Sequence, residues 1–112
     1  MNNNFGLTQD TIHKIQTVLA SYPEIKKAIL YGSRAKGNYK NGSDIDLTLI
    51  LSNQYTMQTK KPPHSLIEIG VALDELDLPY TFDLSVYENI KNSELIEHIN
   101  RVGLSFYEKQ ND

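Results

Sequence analysis

Ala28-Ile29-Leu30-Tyr31-Gly32-Ser33-Arg34-Ala35-Lys36-Gly37 and, six residues later, Asp44-Ile45-Asp46-Leu47-Thr48-Leu49-Ile50-Leu51 are the segments on which the fold turns. A short apolar run closed by Gly-Ser predicts a buried strand over residues 28–31. Residues 33–36 predict a short helix, and 37–42 a loop with an Asn41-Gly42 turn. The second run alternates. Ile45, Leu47, Leu49 and Leu51 take one face of a strand, and Asp44, Asp46 and Thr48 take the other.

Upstream, Thr8 with Asp10 resembles a helix N-cap, and Ile12, Ile15 and Leu19 follow at helical spacing, predicting a helix over about residues 8–20. Tyr22-Pro23 ends it. Downstream, residues 52–62 read as a polar loop. Ser65 and Glu68 then form a possible capping box for a helix to about residue 77 carrying Leu66, Ile69, Leu73 and Leu76. Thr81–Val86 alternates again, with Phe82, Leu84 and Val86 opposite Thr81, Asp83 and Ser85. A last helix runs from about Asn92 to Val102, with Leu95, Ile99 and Val102 inward and Gly103 at its C-cap. The order α-β-(short α)-β-α-β-α predicts an α/β fold, a sheet with helices packed on one face.

With 112 residues and no internal repeat, the chain reads as one domain, 1–112. The absence of cysteine excludes a disulfide scaffold, a thiolate zinc site and a Cys nucleophile. No apolar run approaches the roughly 18 residues of a membrane span, and the expectation is a cytoplasmic protein. The net charge of −3 hides an asymmetry: +4 over residues 1–61 against −7 over 62–112. Lys26, Lys27, Arg34, Lys36 and Lys40 crowd into fifteen residues. A pI near 5.5 argues against broad nucleic-acid binding and for a small polyanion such as a nucleotide.

Asp44 and Asp46, two apart on a strand, project from the same side, and Asp83 points away from the apolar face of its own strand. Three carboxylates sharing a face would repel one another unless a cation sat among them, and hard oxygen donors suit Mg²⁺. An EF-hand is excluded, because no Gly-x5-Glu continuation follows Asp46. Gly32-Ser33 follows a strand and opens a helix, where backbone N–H groups favour anions. The Gly32-x4-Gly37 spacing mimics a Walker A loop, but Asn38-Tyr39 stands where Lys-Ser/Thr is required. Arg34 and Lys36 lie just past the turn, where they could neutralise a triphosphate. Tyr31 is expected beside the site, and loop residue Tyr39 is a candidate to stack on a base. His13, His64 and His98 are scattered without ligand spacing. Glu94–His98 reads as a surface i, i+4 pair.

Together, Gly32-Ser33-Arg34-Ala35-Lys36-Gly37, Asp44-Ile45-Asp46-Leu47 and the later Asp83 resemble the signature of the polymerase-beta-like nucleotidyltransferases, and within them the minimal nucleotidyltransferases, or MNT proteins. The resemblance covers nearly the whole chain. It implies that Gly32 and Ser33 hold the β/γ-phosphates of a nucleoside triphosphate. Asp44 and Asp46 would hold two Mg²⁺, and Asp83 would complete the metal site beside the acceptor hydroxyl. It also implies transfer of a nucleoside monophosphate, AMP from ATP, to a hydroxyl. MNT proteins commonly act as antitoxins paired with a helical HEPN toxin, and members can transfer AMP to a tyrosine of that partner. With no room here for an acceptor domain, the platform must come from such a partner or from a second copy of the chain. Two other readings stay open: a non-catalytic antitoxin that acts by binding, and a transferase with a small-molecule acceptor.

Overall fold

The computed structural model describes residues 5–52 and 65–110. In chain order it contains helix α1 (Gln9–Ala20), strand β1 (Ile25–Tyr31), helix α2 (Ser33–Lys36), strand β2 (Ile45–Leu51) and helix α3 (Leu66–Asp74). Strand β3 (Phe82–Val86), a 3-10 turn (Tyr87–Asn89), helix α4 (Ser93–Val102) and strand β4 (Leu104–Glu108) follow. The expected loop over 52–62 falls, from residue 53 onward, outside the described residues, as does His64.

Local chemistry accounts for the helix starts. Thr8 Oγ1 accepts the Thr11 N–H at 3.1 Å, capping α1. The capping box of α3 forms as its sequence suggests: Ser65 Oγ accepts from Glu68 N at 3.1 Å and Glu68 Oε1 accepts from Ser65 N at 3.4 Å. Asn92 Oδ1 accepts from Glu94 N and Leu95 N at the head of α4. Helix α3 ends three residues before the expected limit, and Asp77 takes a left-handed conformation just beyond it. No helix among the described residues is long and apolar enough to cross a membrane.

The sheet has the order β3-β2-β1-β4, with β2 and β3 parallel and the other pairs antiparallel. Its register sorts side chains into two faces. On one, Leu30 lies opposite Leu47 and Leu47 opposite Leu84, and Ala28 lies opposite Leu49. Ile12, Ile15 and Leu19 of α1 and Ile69 and Leu73 of α3 complete that core. Leu30, Leu47, Leu49 and Leu73 are all fully buried.

Two features differ from the sequence expectation. The chain adds β4 after α4, and Phe106 turns from it into the core against Phe5. In addition, the helices do not all share one face. Helix α4 lies against the other side of β1, where His98 meets the Tyr31 ring and the backbone of Gly103 closes on Ile29. The cause lies in β1 itself: Ile29 and Tyr31 are apolar on the face opposite Ala28 and Leu30, so that strand needs cover on both sides. Gly103 ends α4 in an extended conformation, not a left-handed one. Glycine is needed there because a Cβ would run into Ile99 O and the Ile29 side chain.

Candidate active site

The second face of the sheet carries the polar chemistry. Along it, Tyr31 of β1 lies opposite Asp46 of β2, and Asp46 lies beside Asp83 of β3. A second row, Ile29, Thr48 and Ser85, runs next to the first. Ser85 Oγ donates to Thr48 Oγ1 at 2.8 Å, which satisfies the fully buried threonine.

Burial, followed by the charges of Asp83 and Asp44, pushes the Asp46 carboxyl above its ordinary range, and His98 pulls it partly back. Burial also raises the Tyr31 hydroxyl. A hydrogen bond with Ser85 opposes that shift, and the charges of Asp83 and Asp46 add to it. Asp46 therefore feels both other aspartates, as their shared face implies. They are not drawn into a tight cage: among the described residues no three acidic or histidine side chains form a preformed metal cluster. Asp44 stands one residue ahead of β2 and exposed.

Gly32 abuts the Asp46 carboxylate. Its φ of 78° suits glycine, and a Cβ there would collide with Asp46 Oδ2. Two constraints thus require glycine at this place. Ser33 follows as the first residue of α2, and its carbonyl accepts from Gly37 N and Asn38 N to close the short helix. The turn and the carboxylate row are direct neighbours.

Arg34 and Lys36, grouped by sequence, part company in the structure. Lys36 is exposed at the end of α2. Arg34 is only 3% exposed, with Nε and Nη2 donating to Ser43 O at 3.1 and 2.9 Å and Nη1 donating to Phe5 O at 2.8 Å. Its guanidinium lies 4.8 Å from the Tyr80 ring centroid and 5.3 Å from that of Tyr39. These contacts occupy the charge that a triphosphate would need. Arg34 instead pins the loop leading into Asp44 to the N-terminal segment, and Tyr39 stacks on that arginine.

Sequence reasoning overlooked His98. It does not stay on the surface beside Glu94: its Nε2 accepts the Gly32 N–H at 3.2 Å. The lone polar residue on an otherwise apolar helix stripe, Leu95-His98-Ile99-Val102, was the only available signal. A groove of about 810 Å³ between α1 and β4, lined by His13, Gln16, Thr17 and Tyr107, shares no residue with the carboxylate row.

A family model described as Polymerase beta, Nucleotidyltransferase matches residues 13–112. The chain belongs to that nucleotidyltransferase family. Among solved structures, a toxin-antitoxin with AMP-PNP is similar at 21% identity, covering 88% of this chain and 74% of the other with a TM-score of 0.64. A mutant of the toxin-antitoxin MntA-HpeT is similar at 18% identity, covering 93% and 75% with a TM-score of 0.59. At these identities the likeness establishes a common nucleotidyltransferase fold. No curated protein matches the sequence.

Proposed function

We propose that this domain transfers AMP from ATP to a hydroxyl, and that the acceptor is a tyrosine of a helical HEPN-type toxin which it neutralises in the cytoplasm. One observation carries the reading: in a chain of the nucleotidyltransferase family, the Gly32–Ser33 turn abuts Asp46, which lies in register beside Asp83. The likeness to toxin-antitoxin structures, one of them with AMP-PNP, supports the nucleotide and the partner.

The donor set fits Mg²⁺. Asp44, Asp46 and Asp83 offer hard carboxylate oxygens, and the burial and like charge that raise Asp46 are both penalties a divalent cation would relieve. Two Mg²⁺ ions held by these aspartates would neutralise charge on the attacking and leaving oxygens. The remaining work falls to the chain. The Gly32–Ser33 turn holds the β/γ-phosphates, Gly32 through the close approach its missing Cβ allows and Ser33 through its backbone and hydroxyl donors, and exposed Lys36 supplies positive charge at the rim. Asp83, exposed on β3, faces the acceptor, orients its hydroxyl and receives its proton. The hydroxyl oxygen bonds to the α-phosphorus, the bond from that phosphorus to the bridging oxygen breaks, and pyrophosphate leaves. Arg34 acts at a distance by fixing the loop that carries Asp44.

The test uses the purified protein with α-labelled ATP, Mg²⁺ and the protein encoded beside it. Label on the neighbour's tyrosine is the expected result. A tight complex without label would replace this reading with inhibition by binding. Label found only on a small molecule would assign a different acceptor, and label on the chain itself would point to a second copy as partner.

A further inference from the structure

His98 has no place in the reaction as written, yet it contacts the turn on which that reaction depends. Its imidazole reaches from α4 across the end of β1, meeting Tyr31 edge-on with centroids 6.1 Å apart and planes at 81°. Nε2 accepts from Gly32 N at 3.2 Å. Gly32 is thus held from two sides, with the Asp46 carboxylate filling the space beside its Cα and His98 taking its amide. This bond spans sixty-six residues of sequence and links α4 to the turn.

We infer that His98 is a positioning residue for the nucleotide turn: by accepting the Gly32 N–H it holds Gly32–Ser33 in register with the carboxylate row. The inference rests on the proposed nucleotidyl transfer. It also divides the work of the turn, because the Gly32 amide is committed to the protein and phosphate contact falls to Ser33. A part-buried amide that loses its acceptor must find water or swing away, and either response moves Ser33 relative to Asp46. Tyr31, packed between His98 and Asp46, carries the same restraint to the sheet.

Three variants separate the hydrogen bond from packing. His98→Leu and His98→Phe fill the space without an acceptor, and either serves if the other does not fold. His98→Gln restores a carboxamide oxygen. The readouts are Mg·ATP affinity by titration, KM against kcat for transfer, and the Gly32 amide resonance in a ¹⁵N-labelled sample. The expected result is an affinity loss of about 3- to 10-fold for Leu or Phe, the scale of one hydrogen bond, with KM raised and kcat nearly kept. Gln should recover most of the affinity, and the Gly32 proton should shift upfield in Leu and return in Gln. A folded Leu or Phe variant with wild-type affinity overturns the inference, as does a Gln variant no better than Leu. If the wild-type protein binds no Mg·ATP, the proposed function fails instead and takes this role with it. The Gly32 resonance distinguishes the two failures, because it reports the hydrogen bond whether or not nucleotide binds.

Discussion

The two faces of the same sheet follow different rules. Under α1 and α3, Leu30, Leu47, Leu49, Ile69 and Leu73 are buried to the last few percent, and all are apolar. On the other face, the row Tyr31, Asp46, Asp83 gathers like charge, and burial penalises that of Asp46, which His98 offsets only in part. The first face has the makeup of a stabilising core. The second retains an electrostatic cost at Asp46, the pattern expected of a binding face and not of a structural one.

If that contrast holds, substitutions on the two faces should fail in opposite ways. Asp46→Asn should lower transfer by on the order of 10³–10⁴-fold and weaken Mg·ATP binding, because it removes a cation ligand at the turn. Asp83→Asn should lower transfer by at least about 10²-fold while leaving Mg·ATP affinity largely intact, since it faces the acceptor. Neither should lower the melting temperature. Single-turnover transfer beside nucleotide titration reads both. Wild-type transfer by Asp83→Asn would remove Asp83 from the site, and a melt lowered by many degrees would make it structural.

On the opposite face, Leu73→Ala should cost about 2–5 kcal/mol of stability, the range for a buried leucine truncated in a close-packed core. The fraction that remains folded should still bind Mg·ATP as the parent does. Chemical denaturation gives the first quantity and titration below the transition gives the second. A loss under half a kcal/mol would remove α3 from the core, and a matching loss of nucleotide affinity would erase the distinction between the faces.

Gly70 tests how tightly that first face is packed. It sits inside α3, and a Cβ built there meets nothing nearer than Leu84 Cδ1 at 3.8 Å, an ordinary contact. Gly70→Ala should therefore stabilise the protein by about 0.5–1 kcal/mol through helix propensity alone. A destabilised variant would mean that α3 and β3 approach more closely than this spacing allows.

How legible each face was depends on the range of the interactions that build it. The alternation of β2 and the capping box at Ser65 are local, and each appears in the structure as the sequence suggests, whereas Asp44, read as part of the strand, stands one residue ahead of it. What escaped is non-local. Arg34 reaches Phe5 across twenty-nine residues and His98 reaches Gly32 across sixty-six, and no periodicity encodes either. Hence Arg34, grouped by sequence with Lys36 as a phosphate contact, lies buried among carbonyls and rings. Strand β4 was missed because Leu104–Glu108 turns a single side chain, Phe106, fully into the core while Leu104 stays exposed, so no apolar face stands out in its sequence. The side taken by α4 was implied by the unbroken apolar run of β1, which requires cover on both faces.

The smallest expected effect tests the electrostatic half of the contrast directly. Asp46 is raised above its ordinary range by burial and by Asp83 and Asp44, so the folded protein holds a proton there more tightly than the unfolded chain does. Its contribution to stability is therefore fully present below the unfolded-state pKa and is lost as pH rises through the raised folded-state value. At neutral pH, without divalent metal, the charged carboxylate works against the fold. Asp46→Asn removes that opposition. In EDTA the variant should melt above the parent at pH 7, and the gap should close as pH falls to where Asp46 is protonated in both states. Adding Mg²⁺ and ATP should reverse the order, because only the parent gains the ligand. A parent that melts higher than the variant in EDTA at pH 7 would mean that Asp46 already has a stabilising partner within the chain. Asp46 would then carry no unfavourable charge for a cation to offset.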